Sequence, residues 1–309
     1  MATGPKRRAS TRKTVQKRAP AAKRKSVVRR KPAPKRARSA RTGRHGARGE
    51  TVLITGASAG IGEALADKFA AGGFDVVLAA RRKAKLTKLA KKLTHSYGVA
   101  TDVVEIDLAK PGAPRHLFDE MVRLGLDIDV LVNNAGVLEM GPFKGQAPDI
   151  LSPMIHLNAL VLTELTALFA PPMAKRKSGR ILNVASVAAF QPVPSLAVYA
   201  ATKAFVLSLT ESLAEELKGD GVTVTALCPG ITQTNMFSTI KKSNSRTEYL
   251  PAFLVADVQD VAQEGYDACL AGEVVRVPGL AYAMTTSLGR ASPRWLTRLV
   301  AGAIGRQMM

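Results

Sequence analysis

A tyrosine and a lysine four residues apart could carry acid–base chemistry in this chain. Tyr199 and Lys203 lie in the segment Tyr-Ala-Ala-Thr-Lys, and on a helix this spacing puts both side chains on one face. An ammonium group beside a phenol favours the phenolate, so we expect the pKa of Tyr199 to fall from about 10 towards neutrality. Such a phenol can exchange a proton with a carbonyl or alcohol oxygen. Alone, the pair is also typical of a solvated helix face.

Other reactive side chains add one candidate and exclude a metal site. Ser186 lies thirteen residues before Tyr199, a spacing that can return a hydroxyl to the same substrate oxygen. Cys228 and Cys269 have neither disulfide nor metal-ligand spacing, as is typical of a reducing cytosol. The four histidines are scattered, so we expect no bound metal.

Short apolar runs alternate with amphipathic stretches from residue 50 onwards. Strands are predicted at 51–55, 74–80, 99–106, 128–133, 180–186, 222–228 and 274–277. Helices are predicted after the first strand and at 83–97, 113–124, 148–173, 196–218 and 257–271. This alternation indicates an α/β domain with a doubly wound parallel sheet, the Rossmann fold, with helices on both faces.

A glycine-rich turn follows the first predicted strand. Gly56 permits a tight turn, and Gly60 lets the backbone approach a pyrophosphate. Gly62 would let the next helix pack closely on the sheet. The N–H groups at the start of that helix would face the phosphates. The turn therefore predicts a dinucleotide site.

These motifs resemble those of the short-chain dehydrogenases/reductases. Residues 55–62 are similar to the Thr-Gly-x-x-x-Gly-x-Gly cofactor turn of that family, and 133–136 match its Asn-Asn-Ala-Gly motif. Asn158, Ser186, Tyr199, Lys203 and the pair Pro229-Gly230 follow in the family's order and spacing. The resemblance covers roughly residues 50–250 and is nearest to bacterial ketoacyl-reductase-like general reductases.

The resemblance implies a catalytic tetrad of Asn158, Ser186, Tyr199 and Lys203. Tyr199 would be the general acid in reduction and the base in oxidation, and Ser186 would hydrogen-bond the substrate oxygen. Lys203 would lower the pKa of Tyr199 and hold the nicotinamide ribose. Asn158 would hold a water between Lys203 and solvent. The nicotinamide cofactor would supply the hydride chemistry.

The resemblance also implies which residues hold that cofactor. They are Gly56, Ser58, Gly60, Ile61, Gly62, Arg81, Asp107, Asn133, Ala135, Gly136, Tyr199, Lys203, Pro229, Gly230, Thr232 and Thr234. Ala80 stands where an NAD site would carry an acid, whereas Arg81 and Ser58 could bind a 2′-phosphate. NADP(H) is therefore favoured over NAD(H), with reduction as the favoured direction. The alternative is that Arg81 and Arg82 only open a charged helix.

The expected substrate pocket is mostly apolar. Its lining would include Leu138, Met140, Phe190, Val193, Met236, Phe237 and Leu250. An apolar pocket with few polar anchors suits a lipophilic carbonyl or alcohol. The family commonly forms dimers or tetramers through two long helices, here 148–173 and 196–218, so a homodimer or homotetramer is expected.

The chain is strongly basic at its start. Residues 1–49 hold 19 Lys or Arg and no Asp or Glu, so they supply most of the net charge of +21. This tail is predicted to be disordered in isolation. It could bind nucleic acid nonspecifically, bind another polyanion or an anionic membrane, or remain a solvated appendage. We expect a cytoplasmic protein, with the tail as a route to the nucleoid.

The predicted domains are the tail 1–49, a catalytic domain 50–278 and a basic amphipathic segment 279–309. The last segment could lie on a membrane surface, cap the pocket, or pack on its own domain or a sister subunit. Prolines and polar residues in the uncharged run 181–202 argue against a spanning helix, so no transmembrane segment is expected. The competing function is a nucleic-acid-associated protein whose fold senses nucleotides or redox state.

Overall fold

One parallel sheet organises the computed structural model of the chain. The structure describes residues 1–2, 4, 49–233, 255–279, 282–283, 293, 295–299 and 301. Nearly all of the basic tail and most of the segment 279–309 lie outside these residues. So do several residues of the predicted cofactor and substrate sites, namely Thr234, Met236, Phe237 and Leu250.

The described residues form seven strands that are all parallel to their neighbours. They are β1 (Thr51–Thr55), β2 (Asp75–Ala80), β3 (Thr101–Glu105), β4 (Val130–Asn133), β5 (Gly179–Val184), β6 (Val222–Leu227) and β7 (Val275–Arg276). Their order across the sheet is β3-β2-β1-β4-β5-β6-β7. The predicted doubly wound parallel sheet is confirmed.

Helices cover both faces of the sheet and divide the core in two. They are α1 (Gly60–Ala71), α2 (Lys83–Tyr97), α3 (Ala113–Leu124), α4 (Pro148–Ile155), α5 (Val161–Lys175), α6 (Ala197–Lys218) and α7 (Val258–Ala271). Along β1, Val52 and Ile54 pack with α1, α2 and α7, whereas Leu53 packs in the second core with α3 and α5. Because side chains alternate along a strand, the three central residues of β1 must be apolar to pack into both cores, and its polar residues, Thr51 and Thr55, lie at the strand ends.

The long helix predicted at 148–173 is interrupted. A π-helical turn, His156–Leu160, separates α4 from α5. Within it the buried Asn158 pairs with both backbone polar groups of Val137, accepting from its N–H at 2.9 Å and donating to its carbonyl at 2.8 Å. Such turns are rare and recur at functional sites.

This interrupted helix also meets a length criterion for membrane spans. Among the described residues, Pro148–Lys175 is long and apolar enough to cross a membrane. Half of its most apolar 18-residue stretch is, however, buried inside the fold. Buried helices of soluble proteins meet the same criterion. No membrane span is therefore established.

Asp129 ties the starts of β1 and β4 together. The Thr51 N–H donates to Asp129 Oδ2 at 2.8 Å, and the Asp129 N–H donates to the Thr51 carbonyl at 2.9 Å. Asp129 is buried, whereas the Asp127 side chain is 70% exposed. The carboxylate of Asp129 therefore satisfies a backbone donor at the edge of the core.

Replacing Asp129 by alanine should destabilise the fold. We expect Asp129→Ala to lower the free energy of unfolding by about 1–3 kcal/mol, because the Thr51 amide loses a charged acceptor. Asp127→Ala is the matched control and should change it by less than about 0.5 kcal/mol. Urea unfolding of both variants measures the difference. Equal losses would contradict the role given to Asp129.

Candidate active site

The turn between β1 and α1 is shaped by two glycines in the left-handed region. Gly56 has φ +68° and Gly60 has φ +61°, values that side chains with a Cβ rarely adopt. Helix α1 starts at Gly60 without a side-chain cap. No side chain therefore competes with an anion for the N–H groups at this helix terminus, which also carries a partial positive charge.

Asn134 holds this turn against the end of β4. Its Nδ2 donates to the Thr55 carbonyl at 2.9 Å. A Cβ on Gly62 would lie 2.4 Å from that Nδ2 and 2.7 Å from the Gly56 carbonyl oxygen. Gly62 is thus required by the approach of α1 to an amide side chain, whereas the sequence had suggested packing on the sheet.

The Thr55 hydroxyl completes the link between the two strand ends. It donates to the Val132 carbonyl at 3.1 Å and accepts from the N–H groups of Asn134 at 3.0 Å and Ala135 at 3.1 Å. The sequence placed Thr55 and Asn134 inside motifs but predicted no role for their side chains. A polar side chain at the end of a buried strand was the available signal.

Asn133 has its side chain in the core. Nδ2 donates to Thr166 Oγ1 at 3.1 Å and to Asn183 Oδ1 at 2.9 Å. Asn183 in turn donates to Thr210 Oγ1 at 2.9 Å. This buried polar row joins α5, β4, β5 and α6 beneath the site. The side chain of Asn133 is buried in this row, so it does not face the crevice where the cofactor contact was predicted.

The four predicted catalytic side chains come together where β5 and α6 meet the π-helical turn. Ser186 lies beside the Tyr199 side chain and influences its pKa, and Lys203 Nζ lies 5.7 Å from the centre of the Tyr199 ring. Asn158 Nδ2 donates to Thr202 Oγ1 at 3.3 Å. Each member is therefore linked to α6 or belongs to it.

Gly136 brings the Asn-Asn-Ala-Gly loop to the same point. A Cβ on Gly136 would lie 3.1 Å from Asn158 Oδ1 and 3.8 Å from Lys203 Nζ. Lys203 is buried, and its Nζ donates to the Val184 carbonyl at 2.8 Å. The loop after β4, the π-helical turn and the end of β5 thus enclose the ammonium group.

The ionisation of Tyr199 differs from the sequence expectation. Its side chain is partly exposed, yet burial is the main influence and raises the pKa of the phenol, while the neighbouring Ser186 acts to lower it. The predicted lowering by Lys203 is wrong for this arrangement. The reason is geometric, because the ammonium bonds the Val184 carbonyl and lies over the ring. Burial lowers the pKa of Lys203 itself to about 8.

Arg82, not Arg81, contacts the glycine turn. The Arg82 guanidinium donates to Ser58 Oγ at 2.9 and 3.2 Å and to the Ser58 carbonyl at 3.2 Å. The sequence had assigned the cofactor phosphate to Arg81; both arginines are exposed. Two consecutive arginines after β2 gave no signal of which one turns towards Ser58.

The remaining predicted cofactor residues lie at the carboxyl ends of the strands. Asp107 follows β3, and its Oδ1 accepts from the Ala109 N–H at 3.2 Å. Pro229 and Gly230 follow β6, and the buried Thr232 donates its hydroxyl to the Gly230 carbonyl at 3.1 Å. Ile61 is half-buried against the first core. These ends share one edge of the sheet.

Two loops on the substrate side are joined to each other. The Gly141 N–H donates to the Ser195 carbonyl at 2.9 Å, and Ser195 adopts φ +65°. A serine in the left-handed region is strained, as often occurs near functional sites. The predicted lining residues of these loops, Leu138, Met140, Phe190 and Val193, are all partly exposed.

The arrangement fits a dinucleotide and a proton-transferring group at opposite ends of one crevice. The glycine turn and the start of α1 suit a pyrophosphate, and Arg82 lies beside them. Tyr199, Ser186 and Lys203 lie at the other side of the β1–β4 junction. Across the described ranges, no group of three or more His, Cys, Asp or Glu could hold a metal ion.

The buried Lys203 should make stability depend on pH. Its pKa is about 8 in the fold against 10.5 for an ordinary lysine, so the unfolded chain binds more protons between these values. The cost of burying the charge is fully present below about pH 8, and it disappears as pH rises to about 10.5. Relative to Lys203→Met, the parent should gain up to about 3 kcal/mol over this interval.

Chemical denaturation at several pH values measures this difference. The exposed Lys218→Met is the control and should follow the parent at every pH. Parallel pH profiles for the parent and Lys203→Met would show that the ammonium is not buried as described.

Comparisons with known proteins agree with this geometry. Residues 50–245 match the short chain dehydrogenase family. A very-long-chain 3-oxoacyl-CoA reductase from Anas platyrhynchos is 36% identical over 202 residues, covering 63% of this chain and 64% of that protein. The chain thus spans just under two thirds of that relative's length. The similarity fits the ketoacyl-reductase-like branch.

Two solved structures show the same fold. A short-chain dehydrogenase from Sphingobium yanoikuyae in complex with NADPH is 35% identical, with TM-score 0.70, covering 78% of this chain and 93% of that one. A bulky-bulky ketone specific alcohol dehydrogenase from Comamonas testosteroni is 32% identical, with TM-score 0.67, covering 78% and 91%. The chain therefore belongs to the short-chain dehydrogenase family of oxidoreductases.

Proposed function

We propose that the chain is an NADP(H)-dependent reductase of lipophilic carbonyl compounds, with Tyr199 as general acid. The observation that carries the proposal is the meeting of Ser186, Tyr199 and Lys203 at the mouth of the crevice that begins at the glycine turn. A nucleotide-sensing protein without catalysis would have no use for a buried lysine and a paired serine and tyrosine.

The proton chemistry follows from the surroundings of Tyr199. Burial raises the pKa of the phenol, so it holds its proton at neutral pH and is ready to donate it. Ser186 would donate a second hydrogen bond to the same carbonyl oxygen and stabilise the charge that develops there. The bound nicotinamide would supply the hydride to the carbonyl carbon. In the reverse direction Tyr199 must first lose a proton that burial holds, which supports reduction as the working direction.

Arg82 supports the preference for NADP(H). Its guanidinium lies on Ser58 within the turn, and Ala80 leaves no acid at the end of β2. A planar guanidinium can bind a 2′-phosphate through paired hydrogen bonds. The NADPH complex of the Sphingobium relative supports the same choice.

The substrate class rests on the lining and on the relatives. Leu138, Met140, Phe190 and Val193 offer an apolar surface on the two joined loops. The names of these relatives specify a 3-oxoacyl-CoA and bulky ketones. We therefore propose a carbonyl flanked by a large apolar group.

Self-association through α5 and α6 is also proposed. Leu160 at the end of the π-helical turn and Phe205 on α6 are about half exposed, as is Ile155 at the end of α4. Apolar side chains of this size on neighbouring helices suit an interface with a second copy. A homodimer would bury them.

Removing the phenol hydroxyl should abolish turnover. We expect Tyr199→Phe to lower kcat by about 10²–10⁴-fold with 3-oxoacyl-CoA and bulky ketone substrates, because the proton donor is lost. NADPH affinity should be retained. Tyr97→Phe is the control, since it also loses a bonded hydroxyl, to Asp67, but on the surface. NADPH consumption and fluorescence titration measure both quantities, and turnover of Tyr199→Phe at the parent rate would refute the role.

The two arginines after β2 provide a test of cofactor choice. Arg82→Ala should reduce the preference for NADPH over NADH by about tenfold or more, because a charged hydrogen-bond donor is removed. Arg81→Ala should have a much smaller effect. Dissociation constants for both nucleotides decide between them. A larger loss in Arg81→Ala would restore the assignment made from the sequence.

The basic tail is proposed to bind a nucleic acid through its phosphates. Residues 50–309 carry 26 Lys or Arg and 24 Asp or Glu, so nearly all the excess charge precedes them. The division into 1–49, 50–278 and 279–309 and the cytoplasmic or nucleoid location remain predictions. If the tail acts in this way, the protein would work as an enzyme held near a polyanion.

Salt-dependent binding tests the tail. The full chain should bind duplex DNA of any sequence, with affinity falling steeply as salt rises, and residues 50–309 alone should lose this binding. Fluorescence anisotropy at several salt concentrations measures it, with anionic vesicles as the comparison. Unchanged DNA affinity after tail deletion, or binding to vesicles alone, would overturn the proposal.

A further inference from the structure

After β7 the chain is directed back over the end of β6. Strand β7 pairs with β6, and the Cys228 N–H donates to the Arg276 carbonyl at 2.7 Å. Glu264 on α7 then accepts from the Arg276 side chain at 3.0 Å and from the Gly279 N–H at 3.3 Å. Gly279 has φ +83°, and its carbonyl accepts from Ala283 at 3.0 Å. These hydrogen bonds fix the backbone on both sides of Tyr282.

Tyr282 lies on the turn after β6. A Cβ on Gly230 would be 2.2 Å from Cε2 and 2.4 Å from Cζ of the Tyr282 ring. The Ile231 N–H donates to Tyr282 Oη at 3.3 Å. Burial raises the pKa of Tyr282, so the phenol stays neutral and accepts this hydrogen bond. The ring therefore covers the Cα of Gly230 and leaves no room for a side chain there.

The covered turn also supports Ser186. The Pro229 carbonyl accepts from the Val187 N–H at 3.0 Å and from the Ser186 hydroxyl at 3.5 Å. A shift of the turn would therefore move the serine that lies beside Tyr199. Thr232, three residues after Pro229, is fixed by its backbone bridge to Ala256. Between these points Gly230 and Ile231 are the part of the turn that Tyr282 contacts.

We infer that Tyr282 is a positioning residue for the proposed reduction. It holds the turn 229–232 in place through ring packing on Gly230 and through its hydroxyl on the Ile231 N–H. The turn so fixed serves both the cofactor and Ser186, and the inference rests on the proposed function at that point. The segment after β7 thus contributes to the site from outside the motifs that define the family.

Two variants separate the hydroxyl from the ring. Tyr282→Phe removes the acceptor and keeps the packing, whereas Tyr282→Ala removes both. Tyr97→Phe is the matched control, because it loses a tyrosine hydrogen bond on the surface between α2 and α1. All three are compared with the parent at a temperature where thermal unfolding shows each to be fully folded.

The first readout needs no nucleotide. Hydrogen exchange of the Ile231 amide, followed by NMR, should be about two- to tenfold faster in Tyr282→Phe and faster still in Tyr282→Ala. The second readout is catalytic. Tyr282→Ala should lower kcat by about ten- to hundredfold and weaken NADPH binding, with Tyr282→Phe between it and the parent, because small displacements of reacting groups are costly.

The outcomes distinguish this inference from the proposed function. If the parent binds no nicotinamide nucleotide, the proposed function fails and the inference fails with it. If the parent binds and turns over but the Tyr282 variants match Tyr97→Phe in exchange and kcat, only the inference is overturned. Tighter NADPH binding in Tyr282→Phe would also overturn it, because Tyr282 would then compete with the cofactor. A loss of melting temperature with unchanged kcat would reduce Tyr282 to a packing residue.

Discussion

The pairing of β1 with β4 is the constraint on which the site depends. The chain winds away from this junction in opposite directions, with β2 and β3 on one side and β5, β6 and β7 on the other. The loops that leave β1 and β4 therefore diverge and open a crevice at the strand ends. The Thr55 hydroxyl holds the two ends together. Gly62 and Asn134 then bring α1 close to the same point.

Side-chain bonds to backbone assemble the reactive groups. Asn158 binds both polar groups of Val137, and Lys203 binds the carbonyl of Val184. Each bond joins a helix residue to a loop or strand from another part of the chain. The geometry of the site therefore depends on several loops at once. Such bonds also satisfy buried backbone groups, so the same contacts stabilise the fold and orient the chemistry.

The strands could be predicted from the sequence, whereas the direction in which individual side chains turn could not. All seven strands lie within two residues of their predicted ends, because apolar runs between glycines and polar loops determine them. The π-helical turn was missed, because its residues, His-Leu-Asn-Ala-Leu, include no proline or glycine that would mark an interruption. The choice of Arg82 over Arg81 depends on how the chain turns after β2. The contact of Tyr282 with Gly230 joins residues about fifty positions apart, beyond any local pattern.

The electrostatic influence of Lys203 on Tyr199 should be largest once Tyr199 has lost its proton. Burial disfavours both the phenolate and the ammonium, as the raised pKa of the tyrosine and the lowered pKa of the lysine show. Under the proposed mechanism, proton donation to the carbonyl leaves a buried phenolate. The nearby ammonium then offsets a charge that the site otherwise disfavours. The lysine expected from the sequence to lower the resting pKa of Tyr199 would therefore stabilise the tyrosine after it has given up its proton.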